Sequence, residues 1–132
     1  QRYGREGIVV CGGFVQSLAF ASADRELRQI LDEVLVHSSH INTVAPEDRI
    51  GAMSRIIDIE KMDENLEAVT VKTLGLKNVD TCSELQNIEI PEALFSAEDL
   101  KPSAIEALCS EQCPVLSQRI ALQATRVLLR PA

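Results

Sequence analysis

Tryptophan is absent from the chain, and its aromatic side chains are Tyr3, Phe14, Phe20 and Phe95 alone. Stacking platforms for bases or sugars need aromatic faces, so that mode of recognition is disfavoured and the core falls to Leu, Ile, Val and Ala. The phosphate-cradling pattern GxxxxGK[ST] is missing: Gly7 and Gly12 have the spacing, but Gly13-Phe14 follow where lysine and a hydroxyl are needed. GxGxxG is missing too. Both histidines, His37 and His40, fall in one short stretch, and no G-x-S-x-G stands anywhere, so a Ser-His-Asp arrangement finds no support. The carboxylates Asp58, Glu60, Asp63, Glu64 and Glu67 lack the alternation of a calcium loop and read as a solvated acidic face. No Asn-x-Ser/Thr acceptor occurs, so glycosylation gives no clue to compartment.

Charge is present in excess of one sign. The chain of 132 residues carries 13 basic and 20 acidic side chains, net −7. Residues 1–23 are net +1 and residues 114–132 net +3, which leaves the stretch between them at −11. An acidic body repels phosphate backbones, so nucleic acid is not expected as a partner. Length is that of one domain with a single core.

The longest uncharged run, Gly7 to Ala23, organises the reading of the rest. Arg2 and Arg5 precede it, Ala21-Ser22-Ala23 close it, and Asp24-Arg25-Glu26 follow, the pattern of an export signal or anchor. With seventeen residues, including Gln16 and Ser17, it is marginal for a bilayer that asks for roughly 20. The competing reading is a buried strand, Ile8 to Cys11, turning at Gly12-Gly13 into an amphipathic helix. Residues 1–23 are therefore set apart as an apolar segment and 24–132 as an acidic helical domain. Location is left open, with an exported or lumenal, membrane-associated placement favoured.

Downstream, Leu27, Ile30, Leu31, Val34 and Leu35 recur at helical spacing. Pro46-Glu47-Asp48 reads as a helix opening for Ile50, Met53, Ile56 and Ile57. Val69 to Leu74 is β-branched and alternating, as a strand would be. Thr81-Cys82-Ser83-Glu84 has the form of a capping box, and Pro102 introduces a helix with Ile105, Leu108 and Cys109 inward. From Pro114, Leu116, Ile120, Ala124, Val127 and Leu128 form one stripe of a final helix. The fold class these readings predict is mainly α, a small bundle of four to six short helices with at most one minor strand pair.

Two constellations invite chemistry. His37 and His40, three apart, with Cys109 and Cys113, four apart, have a permissive spacing for tetrahedral zinc. Cys113 before Pro114 has the position of a reactive thiol at a helix start. Four cysteines, Cys11, Cys82, Cys109 and Cys113, also allow disulfides, Cys82 with Cys109 or Cys113 being the more plausible pairing. With no catalytic set evident, the sequence favours a non-enzymatic accessory or assembly subunit. It would dock on a larger, membrane-associated complex through residues 7–23 and a surface of Leu116, Arg119, Leu122, Arg126 and Leu129. The alternatives are a zinc or thiol-redox protein using the His/Cys set, and a secreted effector held by disulfides. No resident cofactor other than zinc is implied.

Overall fold

The computed structural model describes residues 11–24, 29–79, 90–96, 98–110, 113–114 and 116–132. Four strands dominate them: β1 (Asp32–His40), β2 (Ile50–Lys61), β3 (Leu66–Lys77) and β4 (Ile120–Pro131). They form one antiparallel sheet in the order β1-β4-β3-β2. Three helices accompany it, α1 (Gly12–Ala23), α2 (Pro102–Cys109) and the single turn α3 (Leu116–Arg119), with a 3-10 turn over Glu92–Phe95. The expected helical bundle is therefore wrong. Where helices were expected after residues 24, 46 and 114, residues 32–36 lie in β1, 50–61 in β2 and 120–131 in β4. The helix after Pro102 and the strand at Val69–Leu74 do form. The capping box at Thr81–Glu84 lies outside the described residues.

The misreading has a physical cause. Strict alternation marks a sheet with one wet face; the central strands β3 and β4 are covered on both, while the edge strands β1 and β2 leave Val34, Leu35, Val36, Ile56 and Ile59 exposed. Val15 and Ala19 of α1 pack on one face with Val44, Leu122 and Ala124. On the other, Leu74, Leu76 and Ile120 pack against Leu94, Phe95, Ile105, Cys109 and Leu116. Apolar residues then fall on consecutive positions, and bulges shift the phase further. The register slips between Leu35 and His37, between Ile56 and Asp58, and between Gly75 and Leu76. In β2, Ile50 packs on the α1 side and Met53 on the opposite side, so apolar residues on both faces produce an i, i+3 spacing like that of a helix. In β4, Leu122 and Ala124 face α1 while Ile120 belongs to the opposite core.

Helix α1 approaches the sheet closely, and Gly75 permits it. A Cβ on Gly75 would stand 2.9 Å from Leu122 Cγ and 3.2 Å from Ala19 Cβ. The segment read as an anchor thus supplies, in residues 12–23, a cover for the sheet. Among the described residues no helix is long and apolar enough to cross a membrane. Ile8 to Val10, the proposed buried strand, lie outside the described residues.

Candidate functional site

The start of α1 lacks a side-chain cap. Cys11 occupies the cap position without a side-chain hydrogen bond, and its carbonyl accepts from Phe14 N–H and Val15 N–H at 3.0 and 3.1 Å. The N–H groups of Gly12 and Gly13 stand in the first turn, where a helix offers them no carbonyl. The helix dipole adds partial positive charge there. Among the described residues a Cβ on Gly13 would meet nothing within 4 Å.

His40, the last residue of β1, sits over that end. Its Nε2 lies 3.0 Å from the Gly12 carbonyl oxygen. A carbonyl only accepts, so this bond places the ring proton on Nε2 and leaves Nδ1 with the lone pair. Gly12 is required for the contact: a Cβ there would be 2.8 Å from Nε2. Beside the pair opens a cavity of about 290 Å³ lined by Gly12, Val15 and residues His40 to Val44.

The wall of the cavity is tied down. Ile41 N–H and Asn42 N–H donate to the Ala121 carbonyl at 2.7 and 3.3 Å. The Asn42 amide donates to the Ser117 and Ile120 carbonyls at 3.0 and 2.8 Å, and Lys77 Nζ donates to the Thr43 carbonyl at 2.7 Å. At the turn below, Asp48 accepts from Asn78 Nδ2 and from Ala45 N–H. These bonds, Asn78 first, hold its carboxyl below the ordinary value. The outcome is an apolar pocket with the Gly12 backbone and the His40 ring in its wall.

Two further polar clusters lie within the sheet. Arg126, 1% exposed, faces α1 and makes a two-bond contact with Asp24, 2.8 Å each, a third to Glu33 at 3.3 Å, and stacks 3.9 Å from the Phe20 ring. On the opposite face Lys72 Nζ donates to the Ser96 and Glu98 carbonyls and to Gln123 Oε1. Burial pushes the Lys72 ammonium below its ordinary value, the Asp99 charge opposing. The Gln123 amide donates to Leu100 O and to Ser39 Oγ, which in turn donates to Asp99. Both clusters hold chain segments against the sheet. Lys72 Nζ and both terminal nitrogens of Arg126 are spent on protein partners, whereas Arg126 Nε is buried without one among the described residues.

The expected site residues scatter. His37 and His40 stand three apart on a strand, which puts them on opposite faces. His37 pairs across from Thr125 with Asp99 at 3.6 Å, whereas His40 meets Gly12. Cys109 and Cys113 are buried in the core on the His37 side of the sheet. Burial first, then the neighbouring Cys113, pushes the Cys109 thiol up to about 12, the reverse of an activated thiolate. The four do not converge, and among the described residues no group of three or more His, Cys, Asp or Glu side chains is placed to hold a metal ion. Cys11, Cys109 and Cys113 are free thiols, and Cys82 lies outside the described residues. The expected docking surface is largely interior: Leu116, Leu122 and Arg126 are buried and Leu129 half-buried. Arg119 donates to the Asn78 carbonyl. These residues were assigned to one helix face, and the strand β4 that they mostly occupy is central in the sheet.

The Gly12-Gly13 pair was legible in the sequence only in part. Its reading as the turn into a helix holds, since α1 starts there; what no local pattern signalled is the histidine 28 residues away that sits over it.

No protein-family model matches the chain, and no curated protein does. A solved structure does: a protein assigned as a MaoC-domain dehydratase from Chloroflexus aurantiacus J-10-fl aligns over 96% of this chain with a TM-score of 0.63 and 20% identity. The chain spans 32% of that protein's length. This likeness is one of fold, and it removes the helical bundle on which the expected accessory-subunit role was built. The membrane-associated and exported reading loses its support along with the anchor on which it rested. The described residues form the antiparallel sheet and packed helix of a MaoC-like hot-dog fold.

Proposed function

We propose that this chain is a dehydratase-type hot-dog domain, removing water from, or adding it to, the carbon–carbon bond beside an acyl thioester carbonyl. The observation that carries the reading is the His40 ring over the start of α1, where Cys11 gives no side-chain cap, beside an apolar cavity. The resemblance to a dehydratase of known structure supports it at the level of fold.

The chemistry follows from those groups. Removing water β to a carbonyl requires loss of an α-proton, and the negative charge then develops on the carbonyl oxygen. The Gly12 and Gly13 N–H groups, at the positive end of the dipole, are placed to stabilise that charge. Nδ1 of His40, left basic by the bond from Nε2 to Gly12, takes the α-proton. The same imidazolium returns it to the departing β-hydroxyl, so enoyl thioester and water are formed and the histidine ends as it began. A thioester suits the site better than a free carboxylate, whose charge would make the α-proton harder to remove. A chain of net charge −7 also repels an anion.

The test is hydration of trans-2-butenoyl N-acetylcysteamine thioester, followed by loss of enoyl absorbance. The expected result is turnover by the intact chain and a fall of about 10²-fold or more in His40→Ala, the usual contribution of a general base. His40 is exposed, so circular dichroism should show the variant folded. Absence of turnover in the intact chain, or full turnover in the variant, refutes the proposal.

A further inference from the structure

We infer that the outer edge of β1 pairs with the same edge of a second copy of this chain, antiparallel about a twofold axis, so that two four-stranded sheets join into one. β1 ends the sheet on one side, with β4 as its partner and no strand beyond it among the described residues. An edge strand presents unpaired backbone N–H and C=O groups, and proteins blunt such edges with charges, proline or bulges. The middle of β1 carries no charge. Leu31, Val34, Leu35 and Val36 are 58, 60, 44 and 55% exposed, and the bulge at Val36 bends the strand while leaving this run in solvent.

The opposite edge is built differently. β2 also exposes Ile56 and Ile59, but the exposed charges of Arg55, Asp58, Glu60 and Lys61 stand around them. Charges at that density keep a further strand from adding there, so growth stops at two copies.

The order of residues along β1 selects the partner. Asp32 and Glu33 open the strand, the apolar run fills its centre, and His37 and His40 stand in its second half. Antiparallel pairing lays the first half of one copy along the second half of the other. Run then meets run, and carboxylates lie beside imidazoles. Parallel pairing would set Asp32 and Glu33 against their own copies, and like charges directly opposite are unfavourable. A twofold contact needs a surface complementary to itself, and this order supplies one. The net charge of −7 on each copy opposes association, but charges more than about 8 Å from the contact are largely screened at physiological ionic strength.

Sedimentation equilibrium of the intact chain at physiological salt measures the association. One strand pair is a small interface, so the expected result is a monomer–dimer equilibrium with a dissociation constant of about 1–100 μM, read over concentrations of about 1–300 μM. Val34→Lys puts two lysines into each twofold contact and should weaken the dimer at least about tenfold. Ile59→Lys, at a comparably exposed site on β2, should leave the constant unchanged. Circular dichroism checks that both variants are folded. Oxidation of single cysteines placed in a Cys11→Ser/Cys82→Ser chain reads the direction of pairing. Leu35→Cys lies at the axis and should cross-link to its own copy. With the axis inside the run, Asp32→Cys stands at least about 13 Å from its own copy at about 3.3 Å per residue, beyond the roughly 7 Å between Cα atoms that a disulfide spans, and should not cross-link.

A chain that stays monomeric across that range overturns the inference. So does a dimer that Val34→Lys leaves intact, or that Ile59→Lys disrupts as strongly. Cross-linking through Asp32→Cys in preference to Leu35→Cys overturns the antiparallel pairing even where a dimer forms. The cross-linking arm decides alone if Val34→Lys proves unfolded.

Discussion

Gly75 offers a case in which two physical effects of opposite sign compete at one position. Glycine in a strand interior is unfavourable by roughly 0.5–1 kcal/mol relative to alanine, because the unfolded chain loses more freedom on folding. Propensity alone therefore predicts that Gly75→Ala stabilises the protein. The tertiary structure predicts the reverse. The new Cβ would stand 2.9 Å from Leu122 Cγ and 3.2 Å from Ala19 Cβ, where about 3.5–4.0 Å is a comfortable carbon separation. Neither neighbour can turn aside: Ala19 has no rotamer, Leu122 Cγ is a branch atom, and both are fully buried. Relief requires α1 to lift from the sheet by some tenths of an ångström. Overpacking of this kind costs about 1–3 kcal/mol, so the net expectation is a loss of about 1–2 kcal/mol. Urea unfolding of the single variants and of Gly75→Ala/Leu122→Ala measures it. Leu122→Ala alone should cost about 2–5 kcal/mol, and the double variant should cost less than the sum by more than the 0.5 kcal/mol typical of independent sites. Stabilisation by Gly75→Ala, or strict additivity, would refute the close approach of α1 to β3.

Two other expectations follow from buried groups. Arg126→Met should cost about 1–3 kcal/mol, less than the 3–5 of a fully enclosed pair, because Asp24 and Glu33 remain partly exposed. Asp24 is the C-cap of α1 and so faces the negative end of the dipole once the guanidinium is gone. Adding Asp24→Asn should then recover part of the loss, and a double variant no more stable than Arg126→Met would contradict that account. For Cys109, the thiol is raised from 9.0 to about 12 in the fold, so between those values the native state holds a proton that the unfolded chain releases. Stability should fall as pH rises through that window, and Cys109→Ala should flatten the fall. A pH profile of denaturant midpoints that is unchanged by the substitution would rule this out. Alkylation at pH 8 provides a second reading, with exposed Cys11 modified in the native state and buried Cys109 only on unfolding.

The parts of the fold legible in the sequence were those governed by neighbours in the chain. Pro102 started α2 where its missing N–H has no partner, and the β-branched alternation of Val69 to Leu74 formed β3. The single-domain length and the reliance on aliphatic packing were also readable. The strands β1, β2 and β4 were not: burial on both faces erased the alternation in the central β4, the edge strands β1 and β2 carry apolar residues on exposed positions, and three bulges moved the phase. The cysteine and histidine spacings suggested zinc only while both histidines were placed in one turn; extended backbone sends them to opposite faces.

The sequence by itself determined which segments are stiff, which are apolar and where charge collects, since propensity, hydropathy and charge belong to residues individually. It placed a glycine pair at the start of an uncharged run and a histidine between two apolar stretches. Only the tertiary structure decided that the run lies on a sheet instead of standing apart, and that His40 covers Gly12. Contacts of that kind depend on strand order and register, which are set by how the two faces of the sheet fill together, a property that no local window of residues contains.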